Sequence, residues 1–198
     1  MTPQQAFDKQ VDFLNHEHGG GAIGVAVSGG SDSMALLVLA DAFAKKHGFS
    51  IQAATVDHGL RAEAGEEAAK VASFCAERAI GHTTLHWSDW DGSGNVQSEA
   101  RQARYGLLTQ WAVSQKINVV LLGHTMDDQA ETFLMGLARG SGVDGLSGMP
   151  VLKDRLFRRP LLEIKRTDLR RMLEEQDIGW SDDPSNDDTR YDLSLIHI

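Results

Sequence analysis

Serines, two glycines and a carboxylate stand together in Ser28-Gly29-Gly30-Ser31-Asp32-Ser33. A short apolar run, Ala22 to Val27, leads into this stretch and a long one, Met34 to Phe43, leads out. A strand therefore enters the turn and a helix leaves it. Paired glycines let the backbone turn tightly and bring its N–H groups close to a ligand. The unpaired N–H groups and partial positive charge of the helix's first turn complete an anion site, and phosphate is the usual anion. Ser28, Ser31 and Ser33 add hydroxyl donors. Asp32 beside phosphates makes chemical sense if Mg²⁺ lies between them.

A second group, Gly123-His124-Thr125-Met126-Asp127-Asp128, follows the apolar run Val119 to Leu122. It offers His124, Asp127 and Asp128 at the junction of a strand and the next helix. Acids at a helix start are favourable in themselves, but several potential ligands at a strand end are not a packing pattern. A third group follows the strand Ile51 to Val56: Asp57, His58 and Arg61. In an open parallel sheet, ligands sit beyond the C-terminal ends of the strands, so all three groups share one edge. Arg101 and Arg104, with Tyr105 beside them, lie at helical spacing and present two guanidiniums on one face, a geometry that can clamp phosphate. Two familiar phosphate loops are excluded: the turn holds no Lys for a Walker A loop, and Ser33 stands where a dinucleotide fingerprint needs its third glycine.

Strands must alternate with helices to place these groups. Expected helices cover residues 3–18, 32–47, 63–80, 96–115, 127–138 and 165–177, and expected strands residues 22–27, 51–56, 81–87 and 118–123, with extended segments over 152–162. That order gives an α/β fold: a doubly wound, mainly parallel sheet of about five strands with helices on both faces. The helix over 127–138 should turn Ala130, Phe133, Leu134 and Leu137 inward. The helix over 165–177 should bury Leu169, Met172 and Leu173 with its arginines outward.

The 198 residues suffice for one well-cored domain and an appendage. Net charge is −9, which argues against bulk nucleic-acid binding. Residues 153–171 nevertheless hold eight bases against three acids, +5, which leaves −14 on the remainder. Such a basic stretch on an acidic body can meet a phosphate backbone locally. No apolar run reaches membrane-spanning length, and the first twenty residues lack a signal-peptide core. The lone Cys75 excludes an intrachain disulfide, falls on the apolar face of its helix and is expected in the core of a cytoplasmic protein.

The hexapeptide at 28–33 resembles the pyrophosphate loop of the N-type ATP pyrophosphatases, enzymes that cleave ATP between the α and β phosphates. Further matches narrow the resemblance: VDHGLR at 56–61, EARQARY at 99–105, GHTMDDQAET at 123–132, RGSGVDGLSGMP at 139–150, RRPLL at 158–162 and DPSN at 183–186. In this order they are similar to the tRNA(Ile)-lysidine synthetases. The resemblance implies an ATP- and Mg²⁺-dependent ligase whose partners are L-lysine and a tRNA(Ile) with a CAU anticodon. ATP would adenylate O2 of the wobble cytidine, and lysine would then attack C2 and expel AMP.

Carried over residue by residue, Ser28, Gly29, Gly30, Ser31, Asp32, Ser33, Asp57, His58 and Arg61 would bind ATP and its pyrophosphate. Asp32 and Asp128 would hold Mg²⁺ and, with His124 and Asp127, form the reaction centre. Arg101, Arg104, Arg139, Arg158 and Arg159 would meet tRNA or phosphate. Residues 1–150 would be the ATP pyrophosphatase domain and 151–198 a basic extension that begins a tRNA-contacting region. The ending Tyr191 to Ile198 departs from the family pattern, and the chain is then expected to be a truncated N-terminal catalytic domain. A homodimer is left open. The alternatives are another tRNA-modifying member of the superfamily, such as a thiolase, and a nucleotide-binding fragment without catalysis.

Overall fold

The structure is a computed structural model, and it describes residues 1–17, 21–59, 64–87, 96–142 and 146–181. Arg61, part of the glycine-rich segment after Arg139, and the DPSN stretch lie outside these residues. Helix α1 spans Pro3–Val11 and α2 spans Phe13–Glu17. The single helix expected over residues 3–18 is therefore interrupted at Asp12, although Phe7, Val11 and Leu14 are all fully buried as their spacing requires. Strand β1, Ala22–Ala26, leads through the glycine turn to α3, Ser31–His47. Gly48 ends α3 in the left-handed region and returns its N–H to Ala44 O.

The chain continues through β2 (Ser50–Asp57), α4 (Ala64–Glu77), β3 (Gly81–His86), α5 (Val96–Ser114), β4 (Val120–Leu121) and α6 (Met126–Ala138). The short strands β5 (Leu152–Lys153) and β6 (Phe157–Arg158) then precede α7 (Arg166–Glu174). Among the described residues the strands form one six-stranded sheet in the order β3-β2-β1-β4-β6-β5. Every pairing is parallel except the β5–β6 hairpin, and the sheet has six strands where about five are expected. The α/β fold with helices on both faces is as expected.

Two apolar layers sandwich the sheet. On one face Leu36, Leu37, Leu39 and Phe43 of α3 pack with Phe7, Val71, Cys75, Leu169 and Leu173. On the other, Leu108 and Trp111 of α5 pack with Ile117, Val120 and Phe157. Helix α3 is buried on most of its circumference, since α1 and α7 both lie against it. The strand order reverses between β1 and β4, the position where an open α/β sheet leaves a crevice beyond its strand ends. The two richest groups of chemistry-bearing residues leave those two adjacent strands.

Helix α6 corrects one expectation. Phe133, Leu134 and Leu137 are 44%, 61% and 57% exposed, and the helix has no buried residue. Periodicity identifies which face of a helix is apolar, but whether that face finds a partner depends on tertiary placement. Here α6 starts beyond the end of β4, past the sheet that would cover it. No described helix is long and apolar enough to cross a membrane. Because Leu169 is fully buried while Leu134 is not, Leu169→Ala should cost about 2–5 kcal/mol in urea denaturation. Leu134→Ser should change stability by no more than about 0.5 kcal/mol in the same measurement.

Candidate functional site

A cleft of about 490 Å³ opens at the reversal point, a size within the usual range of ligand sites. Its walls include Ser28, Gly30, Ser31 and Asp32 from the β1–α3 turn, and His124 and Asp128 from the β4–α6 junction. Arg101 and Arg104 of α5 and Arg166 and Arg170 of α7 complete it.

The turn is held by its own side chains. Gly29 sits at φ +90°, a backbone state open to glycine and strained for residues with a Cβ. Ser28 N–H donates to Ser33 Oγ at 3.1 Å, and the Ser33 hydroxyl donates to Gly30 O at 3.0 Å. The Ser33 hydroxyl, expected to face a ligand, is thus occupied in closing the turn. From outside, Ser181 N–H donates to Gly29 O at 2.9 Å. Gly30 occupies the N-cap of α3 without a side-chain cap, so the first N–H groups of that helix remain available to an anion.

Gly123 allows the two strand ends to meet. A Cβ at this position would lie 3.2 Å from the carbonyl carbon and oxygen of Asp32 and from the Cα of Ser33. All three are backbone atoms at the start of α3 and have little freedom to retreat.

Asp128 divides its carboxylate between two tasks. One oxygen, Oδ2, accepts from the N–H and the hydroxyl of Thr125, each at 2.6 Å, in a reciprocal cap of α6. The other, Oδ1, accepts from Arg166 Nη2 at 3.2 Å. Asp32 Oδ2 accepts from Nε of the same guanidinium at 2.9 Å, and Glu131 Oε1 from Nη1 at 3.5 Å. Asp32 and Asp128 are thereby brought to two nitrogens of one cation. Asp127 points elsewhere, accepting the backbone N–H of Arg166 at 2.8 Å and fixing the start of α7. Burial pushes the Asp32 carboxyl above the usual carboxylate range, with Arg166 working against it and the Asp128 charge adding to it.

His124 is the most perturbed histidine of the cleft. Burial, then the Arg159 guanidinium, lowers its pKa to about 4, with Arg101 and Arg104 adding to the effect and Asp128 opposing it. The imidazole is therefore neutral near pH 7. Arg159 Nε–H donates to His124 Nδ1 at 3.3 Å, so the neutral ring carries its proton on Nε2.

Arg159 itself is a correction. It was expected on a phosphate backbone, but it is 2% exposed and its remaining donors reach Pro150 O at 2.6 Å and Tyr105 Oη at 3.1 Å. An arginine between apolar residues reads alike from sequence whether it faces water or a buried carbonyl. Arg158 lies with its guanidinium 3.7 Å over the Phe13 ring. Arg139 is exposed at the end of α6 and is not part of the cleft wall. Asp57 accepts the Gly59 N–H at 2.9 Å and so closes its own turn. His58 stands edge-on to Trp87, and neither of its ring nitrogens has a hydrogen-bond partner. Burial, with Arg104, keeps the His58 pKa below its ordinary value.

Arg166 and Arg170 were expected outward, in a solvated basic stretch. Both reach into the cleft, Arg170 Nε donating to Ser31 Oγ at 3.2 Å. Their four-residue spacing next to the buried pair Leu169 and Leu173 was the available signal: it places both guanidiniums on one stripe beside the buried face. Glu131 was quoted only as part of a motif, and its place three residues after Asp128 puts it on the same side of α6.

Residues 3–197 match the model of the PP-loop domain. The chain belongs to that family. A PP-loop domain is an ATP-binding domain. The chain is 49% identical over 173 residues to a tRNA(Ile)-lysidine synthase of Ruegeria pomeroyi, covering 86% of this chain and 41% of that protein. It is 42% identical over 202 residues to a tRNA(Ile)-lysidine synthase of Hyphomonas neptunium, covering 97% and 54%. The chain thus spans about half the length of the curated relatives it matches. Among solved structures, the fold is similar to the U34-tRNA thiolase NcsA of Methanococcus maripaludis, solved with its [4Fe-4S] cluster. That match has a TM-score of 0.77 at 19% identity and covers 98% of this chain and 75% of that one. An NH3-dependent NAD synthetase of Campylobacter jejuni gives 0.56 at 16%, over 99% and 91%.

Two outcomes follow from the geometry. Gly123→Ala should cost about 1–3 kcal/mol in thermal or urea unfolding, since the added methyl meets backbone rather than a flexible side chain. His124 should make stability fall as pH drops from about 6.5 to about 4, because in that window the unfolded chain takes up a proton that the folded one refuses. In His124→Gln the pH slope of urea-unfolding free energy over that window should be shallower than in the parent chain.

Proposed function

We propose that this chain is the ATP-handling part of a tRNA(Ile)-lysidine synthase. In this reading ATP adenylates O2 of the wobble cytidine of a tRNA(Ile) with a CAU anticodon. An amine of free L-lysine then attacks C2, and AMP departs with the former O2 to leave lysidine. The observation that carries the reading is the pairing of a PP-loop cradle with two carboxylates set across a single cation at the mouth of the same cleft. The names of the relatives supply the substrate.

The residues suit the chemistry. Gly29, Gly30 and Ser31, with the N–H groups at the start of α3, would receive the pyrophosphate. Asp32 and Asp128 are hard oxygen donors on facing elements, the donor type that Mg²⁺ prefers, and they already share a positive charge in this structure. Bound there, Mg²⁺ would neutralise phosphate charge and help pyrophosphate to leave. Neutral His124 would offer its Nε2 proton as a hydrogen-bond donor to phosphate or cytidine without adding charge. Arg101 and Arg104 stand on the α5 wall, where they would meet phosphates of ATP or tRNA. Arg61 and Arg139 keep their proposed roles toward phosphate and tRNA. Among the described basic residues after residue 150, Arg155, Lys165, Arg170 and Arg171 are exposed, and these would approach the anticodon stem. Residues 151–198 are then the start of a tRNA-contacting region, although β6 and α7 are also built into the sheet and the α3 layer. Such work on tRNA belongs in the cytoplasm.

A sulfur-transferring reading meets a specific obstacle. The whole sequence has one cysteine, Cys75, which is fully buried with its thiol pushed by burial up to about 11. It is neither an accessible thiolate nor, alone, a ligand set for an iron–sulfur cluster.

Incubation with ATP, labelled lysine and a tRNA(Ile) CAU transcript tests the proposal. Lysine incorporation with AMP and pyrophosphate release is expected. Asp32→Asn and Asp128→Asn should each lower pyrophosphate release by at least about 100-fold, in line with removal of a main transition-state charge stabiliser. Pyrophosphate release unchanged in either variant would remove that carboxylate from the reaction centre. ATP binding without lysine incorporation by the parent chain would instead favour a nucleotide-binding fragment.

A further inference from the structure

The guanidinium of Arg166 occupies the place between Asp32 and Asp128 where the proposed reading puts the metal. It donates to Asp32 at 2.9 Å, to Asp128 at 3.2 Å and to Glu131 at 3.5 Å, so one cation serves three carboxylates. Two cations cannot share that space. Because the Asp32 and Asp128 side chains are only 20% and 25% exposed, water alone compensates their mutual repulsion poorly.

We propose that Arg166 is an exchangeable counter-ion: it closes the carboxylate site to free divalent cations and yields the site when the cation arrives bound to a triphosphate. This rests on the Mg²⁺·ATP reading of the cleft. The physical basis is a difference in charge between two entrants. A bare divalent cation meets a guanidinium already seated on its ligands and is repelled by it. A metal–triphosphate complex keeps net negative charge, so its phosphates attract the displaced guanidinium while its metal takes the carboxylates. Arg166 therefore loses one set of anionic partners and gains another, at little net electrostatic cost.

The local framework allows the exchange. The main chain of Arg166 is anchored independently of its guanidinium: its N–H donates to Asp127 at 2.8 Å, and Met126 N–H donates to Ile164 O at 3.0 Å. Those two bonds fasten the starts of α6 and α7 to each other. The Arg166 side chain is 29% exposed and lines the cleft, so its guanidinium can swing without either helix moving. Arg170, on Ser31 at 3.2 Å, marks the neighbouring cationic position on the phosphate side of the same stripe.

Mn²⁺ titrated into the purified chain, with free Mn²⁺ followed by electron paramagnetic resonance, tests the idea. Without nucleotide, Arg166→Gln should bind Mn²⁺ at least tenfold more tightly than the parent chain, and Arg166→Lys should fall between them. A non-hydrolysable ATP analogue should narrow the difference to about threefold or less. A purely structural role for Arg166 would weaken metal binding when removed, so equal or weaker Mn²⁺ binding by a cooperatively folding Arg166→Gln overturns the proposal. A second measurement needs no variant. The ¹⁵N–¹H resonance of Arg166 Nε should stay in place with millimolar Mg²⁺ alone and move with Mg²⁺ and the analogue together. Persistence of that resonance in the presence of both overturns the exchange. Failure of the parent chain to bind Mn²⁺ even with the analogue would contradict the Mg²⁺·ATP reading itself, a distinct result.

Discussion

Two carboxylates at the mouth of one sheet need a cation between them, and most of the local architecture follows from that requirement. Asp32 comes from the first turn of α3 and Asp128 from the first turn of α6, on strands that the sheet places side by side. Gly123 lets the two backbones approach, because any side chain there would press on the peptide of Asp32. Thr125 orients Asp128 by taking one oxygen for the helix cap and leaving the other for the cation. Asp127 anchors the helix that carries Arg166. Each neighbour holds a carboxylate, its backbone or the charge opposite it.

The remaining charges of the cleft are arranged around a neutral histidine. Arg159 is buried without a carboxylate and is held by a carbonyl, a phenol and the imidazole of His124. Burial first, and then the second positive charge that a protonated His124 would place against Arg159, keep the ring neutral well below pH 7. The arginine spends its charge inside the protein, while Arg101 and Arg104 keep theirs on the cleft wall. A polyanion entering the cleft thus meets cations on one wall, helix N–H groups on another and the pair of acids between the two strand ends.

Much of this was legible in the sequence, and the reasons differ from residue to residue. The turn at Ser28–Ser33 was readable because glycines, a carboxylate and an apolar run on either side leave few foldable alternatives. The β4 junction was readable because ligand-type residues cannot be explained by packing. The sheet order places both at the same crevice, a consequence of strand–helix alternation. Tertiary choices were not readable. The apolar stripe of α6 is real, yet no described element covers it, and nothing in a 3.6-residue period reports whether a partner exists. Arg159, Arg166 and Arg170 looked like parts of a solvated basic run because linear charge counting does not register which guanidinium faces a buried acceptor. The break at Asp12 lies in a helix whose apolar period continues on both sides, so periodicity passes over it.

A crystal structure of the chain with Mn²⁺ and a non-hydrolysable ATP analogue tests the central claim most directly. The account predicts an anomalous Mn²⁺ peak at roughly 2.1 Å from an oxygen of Asp32 and of Asp128, as for hard octahedral cations. The triphosphate should lie on the Gly29–Ser31 turn, with Arg166 withdrawn from both acids. A triphosphate bound elsewhere, or a metal remote from both acids with Arg166 still seated between them, would contradict it.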